Sequence, residues 1–512
     1  MANPDSKSNQ SKQNKSQSNK SDRKSNLGLT VTKEENFSEW YTQLIQKAEL
    51  IEYSPVSGCY ILRPRSYFIW EQVRNYLGGL ITDDGVQNSY FPLFIPESLL
   101  TKEEDHVEGF AAEVAWVETG GHSKLKERLA VRPTSETVMY DSYSKWIRSY
   151  KDLPLRLNQW ANVVRWEFKH CTPFLRSREF LWQEGHTAFA TKKEADEEAL
   201  KALNWYAQTF KELFAVPTLK GQKSDSEKFA GADYTLSVET FLPDGKAIQG
   251  ATSHHLGQNF AKAFDIKFKD HHEKDQLVFQ NSWGFTTRTI GVCILMHSDD
   301  KGLVLPPKVA QTQVVIVPLL FKKGREEVLA ATSKLYDELK AAGLRVHLDN
   351  REDQSAGFKY NEWELKGVPI RIELGPRDLE NKQVMMARRD TGDKLSVPLD
   401  NNLTKVIETT LTKIHDNLYE KASDYLSKSI IQCETKDDVL NAIKNKKIAL
   451  VPWCGSKESE EAFKEETSIK SLNTPLDTKG LPELTSKHNC FLTGESHTNK
   501  TPLRWFHFGK SY

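Results

Sequence analysis

The chain has 512 residues, with 38% apolar and 27% charged residues and a formal net charge of zero. That length allows about three domains, and the neutral balance excludes any argument for a nucleic-acid partner from overall charge. No run approaches eighteen apolar residues, so no membrane span is expected, and the N-terminus has no apolar core of a secretory signal. The six cysteines form no C-x-x-C pair. In a chain this long, that predicts free thiols in a reducing compartment.

Residues 1–26 are rich in Ser, Asn, Gln and Lys. Without apolar residues to offset the entropy of ordering, they are expected to be a disordered tail. Helical spacing over 37–50 and 67–77 predicts two helices, the second stopped by Gly78-Gly79. An apolar run over 88–95, broken by Pro92, reads as an edge strand. Thr191 and Glu194 form a capping box ahead of a helix over 192–214, with Ala195, Ala199, Leu203, Tyr206, Phe210 and Leu213 on one face. Strand-like segments at 161–168, 180–188, 235–241, 247–256 and 277–282 follow one another without crossover helices. They predict a mostly antiparallel sheet flanked by helices, an α+β arrangement.

Pro306-Pro307 marks a boundary. Beyond it, strands at 314–320, 345–349, 370–374 and 384–388 alternate with helices at 326–342 and 358–366, which suggests a compact α/β domain. A third, mixed segment begins after about Leu411.

Three clusters carry the chemistry. They are Arg132-Pro133-Thr134-Ser135-Glu136; Arg165-Trp166-Glu167 through to Trp182-Gln183-Glu184-Gly185-His186; and Ser282 to Gly291. Arg165 and Glu167 share a strand phase, as do Phe180, Trp182, Glu184 and His186. Two strands and their loop thus offer arginines, acids, a histidine and aromatics to one space. Arginine forks match phosphate oxygens, and an aromatic face can stack on a purine. Cross-strand ion pairs and core packing account for any single one of these residues equally well. No glycine-rich phosphate loop occurs, so a nucleotide would have to be held on a sheet by side chains. Adjacent His254 and His255 would face opposite ways on a strand and could not easily share a metal.

Arg165-Trp166-Glu167 followed by Arg178-Glu179-Phe180 resembles motif 2 of class II aminoacyl-tRNA synthetases. Gly284 to Arg288 resembles motif 3, and Tyr67–Leu80 leading to Pro92 looks like motif 1, the dimer-forming element. The clusters at Arg132–Glu136 and Gly250–Gln258, with the terminal Phe508-Gly509-Lys510-Ser511-Tyr512, are similar to prolyl-tRNA synthetases of the eukaryotic and archaeal type. The resemblance covers about Phe37 to Tyr512. It implies a class II catalytic domain over 27–306, an α/β anticodon-binding domain over 307–411 and a C-terminal domain over 412–512.

It further implies a cytoplasmic, homodimeric enzyme using L-proline, ATP, Mg²⁺ and tRNA(Pro), with no membrane association. Thr134 and Glu136 would hold the imino group, and Trp182, Glu184, His186, His254 and Ser282 would shape the proline pocket. Arg165 would bridge the proline carboxylate and the α-phosphate, and Arg288 would clamp the triphosphate from the opposite side. Phe180 would stack on adenine, Arg176 would reach the outer phosphates, and Glu167 belongs to the ATP set. Gln249 and Thr252 would contact the nucleotide, Gln249 near magnesium, and Thr286 or Thr287 would touch the adenosine end. Arg371, Arg377 and Arg388 are the candidates near RNA. Relatives often carry four zinc-binding cysteines; here Cys454 and Cys490 remain, with Ser459 and Leu492 or Thr493 at the other positions, so no structural zinc is expected. A synthetase-like RNA-binding protein without catalysis is the competing reading.

Overall fold

The computed structural model describes residues 28–104, 113–167 and 170–512. The polar tail expected over 1–26 lies outside them, as does Phe168 at the end of one expected strand.

The helix Lys192–Phe214 organises the largest core. The Thr191–Glu194 capping box closes its first turn. Its face of Ala195, Ala199, Leu203, Tyr206, Phe210 and Leu213 is buried against a sheet. That sheet runs, in spatial order, Gln87–Asn88, Leu155–Val164, Glu179–Phe189, Phe279–Thr286, Ala247–Gly257, Tyr234–Phe241 and Leu219–Gln222. All these pairings are antiparallel except that of Gln87–Asn88 with Leu155–Val164. Successive residues alternate across it. Gly185 and Trp283 lie on the helix side, where a Cβ on Gly185 would fall 2.2 Å from the indole. Only glycine admits the Trp283 ring there. Trp182, Glu184 and His186 take the other phase and face away from the helix.

The helix expected to stop at Gly78-Gly79 instead spans Pro64–Asp83. Its buried stripe of Ile69, Trp70, Val73 and Leu77 continues to Ile81 beyond the glycines. Burying another isoleucine (about 2 kcal/mol) matches the roughly 1 kcal/mol helix penalty of each glycine. The strand expected over 88–95 is two short strands in different sheets, Gln87–Asn88 and Phe94–Pro96. The proline separates them.

A five-stranded sheet follows, ordered Val346–Leu348, Val314–Pro318, Ile370–Leu374, Gln383–Arg388, Lys394–Pro398, with its first two pairings parallel. The helix Leu403–Ser429 runs through Leu411, the expected boundary, because no glycine or proline interrupts it. Its Ile407, Leu411, Ile414 and Leu418 cover the five-stranded sheet, while Leu426 packs with Phe241 of the large sheet. Beyond it, strands Lys470–Pro475, Arg504–Gly509, Ile448–Trp453 and Ile430–Gln432 continue the large sheet past Leu219–Gln222, making eleven strands in all.

Candidate active site

The face of the sheet opposite the Lys192–Phe214 helix floors a cavity of about 660 Å³. Three distant stretches of sequence meet there. Strand Glu179–Phe189 contributes Phe180, Trp182, Glu184 and His186. Thr134 and Glu136 come from the start of the helix Glu136–Trp146, and Ser282, Thr286 and Arg288 from the strand and helix that carry the third cluster. Arg165, Glu167, Gln249, Thr252 and His254 also line it.

The two arginines are held by neutral partners. Arg165 Nε donates to Pro133 O at 3.0 Å, and its guanidinium lies 5.3 Å from the Trp182 ring and 5.7 Å from that of Phe180. Arg288 donates to Leu175 O at 3.2 Å and Gln249 O at 3.1 Å. Burial pulls the pKa of Arg165 down, and it pulls Arg288 to about 10 with the charge of Arg165 adding to the effect. Carbonyl oxygens orient both forks; acids such as Glu167 act on them from a distance, but among the described residues neither arginine closes an ion pair. A polyanion would supply what is missing.

The acids behave in opposite ways. Burial acts to raise the Glu184 pKa, but bonds from His186 and Ser135 outweigh it and hold the carboxyl below its usual range. His186 Nε2 lies 2.9 Å from Glu184 Oε2, Ser135 N–H donates to the same oxygen at 3.1 Å, and Gln159 donates to Oε1 at 2.9 Å. Glu136 is equally buried, yet its Oε2 has no hydrogen-bond partner. Desolvation raises its pKa, only partly opposed by the positive charge of Arg165. An orphaned buried carboxylate oxygen costs about 1–3 kcal/mol or more. Beside it stand Trp182, Ser282 and His254, whose pKa burial depresses to about 3, so its ring is neutral at physiological pH. His254 Nδ1 is 2.9 Å from Thr235 Oγ1, and its ring packs 4.6 Å from that of Phe229. His255 points to the helix side and bonds to Asn281.

Two expected residues stand apart from the cavity wall. Thr287 lines an adjoining pocket of about 190 Å³ on the far side of Phe180, so Thr286 is the one that faces the cavity. Arg176 is exposed on the loop outside, close enough for its charge to depress the pKa of Arg288. Conversely, Phe229, Thr235 and Glu113 line the cavity and were not foreseen. Gln159 was also missed. It shares the strand phase of Arg165, six residues on, and that alternation was a usable signal. Phe229 sits in a loop with no periodicity to betray it.

The arginine candidates in the five-stranded unit differ sharply. Arg371 is buried, bonded to Glu373 at 2.9 and 3.1 Å and stacked 4.1 Å from Tyr360. Arg388 is held bidentately by Asp390 at 3.0 and 2.7 Å. These charges are already answered within the fold. Arg377 is exposed.

A largely antiparallel sheet whose open face carries two arginines beside a substrate-sized cavity is the architecture of a class II aminoacyl-tRNA synthetase core. Residues 116–297 match the family described as tRNA synthetase class II core domain (G, H, P, S and T). Residues 313–409 match the anticodon binding domain, and residues 436–512 match the prolyl-tRNA synthetase C-terminal family. The chain is 50% identical over 497 residues to the cytoplasmic proline–tRNA ligase of Arabidopsis thaliana, covering 96% of this chain and 92% of that one. It is 48% identical to the bifunctional glutamate/proline–tRNA ligase of Mus musculus, covering 91% of this chain but 31% of that protein. It superposes with TM-score 0.90 and 46% identity on the crystal structure of prolyl-tRNA synthetase from Cryptosporidium parvum complexed with halofuginone and AMPPNP, covering 95% of this chain and 100% of that one. The chain belongs to the prolyl-tRNA synthetase family.

Proposed function

We infer that the chain is a proline–tRNA ligase: it activates L-proline with ATP to prolyl-adenylate and transfers the prolyl group to tRNA(Pro). The observation that carries this reading is the joint placement of Arg165, Arg288 and the unanswered Glu136 in one cavity. Glu136, with Thr134 beside it, takes the secondary ammonium of proline. Trp182, Glu184, His186, His254 and Ser282 enclose the ring. Arg165 draws the proline carboxylate and the α-phosphate together, and one carboxylate oxygen attacks the phosphorus in line as pyrophosphate leaves. Arg288 takes the triphosphate from the other side, with Arg176 reaching in from the loop. Phe180 stacks on adenine, Thr286 touches the adenosine end, and Glu167, Gln249 and Thr252 complete the nucleotide set. A terminal ribose hydroxyl of tRNA then attacks the prolyl carbonyl, and AMP leaves.

These residues act by alignment and charge, with no dedicated base. Magnesium entering with ATP would neutralise phosphate charge. A triphosphate-bound magnesium needs only one or two protein oxygens, and the Gln249 side chain on the cavity wall offers one.

The catalytic work belongs to residues 27–306. Anticodon reading falls to the five-stranded unit, with Arg377 the best placed of its three candidates, and residues 412–512 brace the large sheet. Homodimer formation is supported by exposed apolar residues at one margin of the catalytic unit, Tyr90, Phe94 and Trp146 among them. A cytoplasmic setting is supported by six free cysteines and by the name of the Arabidopsis relative. Among the described residues no helix is long and apolar enough to cross a membrane. The Cys454 and Cys490 thiols approach to 3.4 Å, but two thiols do not close a tetrahedral zinc site. One zinc per chain by metal analysis would overturn that part.

Exchange of labelled pyrophosphate into ATP, with and without proline, tests the whole reading. Exchange is expected only when proline is present. A chain that binds tRNA but forms no adenylate would instead be an RNA-binding protein of synthetase fold.

A further inference from the structure

A second buried chain of polar groups runs behind the imino-acid pocket. Tyr140 sits four residues after Glu136 on the helix Glu136–Trp146, so both side chains share a helix face. Its hydroxyl lies 3.2 Å from His186 Nδ1. The tyrosine is fully buried, its ring wedged among His186, Tyr143, Phe260 and Phe264 at centroid distances of 5.6, 5.9, 5.5 and 5.9 Å. That packing fixes where the hydroxyl points.

The hydrogen-bond pattern assigns the protons. Glu184 accepts from the Ser135 amide and the Gln159 side chain, and its lowered pKa keeps it ionised, so it can only accept. The His186 Nε2 facing it at 2.9 Å must therefore carry hydrogen. Nδ1 is then either a bare acceptor or a second N–H, and its two neighbours are the Tyr140 hydroxyl and Glu136 Oε1, the latter at 4.0 Å. A proton on Nδ1 would make an imidazolium beside Glu136, an internal cation competing with the substrate's ammonium for the same carboxylate.

We propose that Tyr140 is a positioning residue for the proline site: its hydroxyl donates to His186 Nδ1, holds the imidazole as the neutral Nε2–H tautomer, and so reserves Glu136 for the substrate cation. This rests on the cavity being the proline site, as inferred above. The titratable groups facing His186 are Glu136, Tyr140 and Tyr143 from the helix, Glu184 from its own strand, and His254 from the neighbouring strand pair. Arg165 lies beyond Glu136, and Ser282 is the cross-strand partner of His186. His254 is neutral at working pH and Glu184 is already committed, which leaves Glu136 as the anion a second proton would answer.

Tyr140→Phe keeps the ring and removes the donor. In proline-dependent pyrophosphate exchange, the KM for proline should rise about tenfold at pH 6.5 and only about twofold at pH 8.5, with kcat and the KM for ATP within about twofold of the parent. A KM change of equal size at both pH values, or none, overturns the proposal, because a merely structural loss has no reason to follow a proton. His186→Gln removes the group through which Tyr140 acts, so adding Tyr140→Phe to it should change the KM for proline less than about twofold. A full additive effect would also overturn it. Should Tyr140→Phe not fold, long-range proton–nitrogen correlation spectra of the ¹⁵N-histidine-labelled parent chain decide. His186, identified by its loss in His186→Gln, should show a bare Nδ1 at pH 7, and a doubly protonated ring refutes the assignment. A parent chain without proline-dependent exchange would sink the proposed function, whereas the histidine spectrum bears on Tyr140 alone.

Discussion

The catalytic cavity and the five-stranded unit both bury charge, but they treat it in opposite ways. In the five-stranded unit every buried charge named above has its partner. Asp349, 1% exposed, accepts from Arg351 at 2.8 and 2.6 Å and from the Trp363 indole at 2.8 Å, with Lys359 3.6 Å away. Burial acts to raise the pKa of Asp349, but these partners outweigh it and hold the group far below its usual range. In the cavity, Arg165 and Arg288 rest on carbonyls and Glu136 keeps an oxygen unanswered. A charge neutralised within the fold serves the fold. A buried charge without its counter-ion is a binding site for whatever brings it.

Substitutions on the two sides should therefore fail differently. Arg165→Ala and Arg288→Ala are each expected to cost about a hundredfold or more in proline-dependent exchange, the scale of one electrostatic contact made in the transition state. The thermal midpoint should barely move, since no internal ion pair is lost. Near-normal exchange in either variant would break the comparison. Asp349→Ala should do the reverse, lowering stability in denaturant titrations by about 3 kcal/mol because buried Lys359 loses its counter-ion and keeps only the backbone carbonyl of residue 349, with exchange kinetics unchanged where the variant is folded. Because the folded pKa of Asp349 is depressed, its contribution is present above the unfolded value near 4 and fades as pH falls below it. A variant as stable as the parent would show the pair to be idle.

Glu136 sharpens the contrast through pH. Its pKa is raised, so the carboxyl takes up a proton while ordinary acids are still ionised. Binding a secondary ammonium needs the anion, so kcat/KM for proline should fall on acidification with a midpoint above the ordinary glutamate value of about 4.3. Glu136→Gln should remove that limb and raise the KM for proline. An acid limb unchanged in the glutamine variant would assign it elsewhere. The smallest effect is expected at Arg377. Its replacement by alanine should lower tRNA charging a few-fold, less at higher salt, and leave exchange untouched; a loss of exchange would mean that it supports the fold.

Much of this was legible in the sequence because alternation is local. Phe180, Trp182, Glu184 and His186 could be put on one face from spacing alone, and the 192–214 helix could be bounded by its capping box. Pairing was not legible. Nothing at Arg371 or Arg388 announces that Glu373 and Asp390, each two residues on, have claimed them, whereas Arg377 is left in solvent. The Gly78-Gly79 stop failed because tertiary burial of Ile81 overrode local propensity. That one helix crosses the expected boundary at Leu411 was not legible either, because its apolar stripe serves two cores in succession.

The order in which the large sheet can close is set by its last strand. Arg504–Gly509 lies between Ile448–Trp453 and Lys470–Pro475 and pairs antiparallel with both. During synthesis those two earlier strands must therefore leave the ribosome as unpaired edges and wait roughly thirty residues or more for the strand that joins them, a few seconds at about 5–20 residues per second. Over that interval the nascent chain exposes apolar strand edges, and there a holding chaperone would have most to protect.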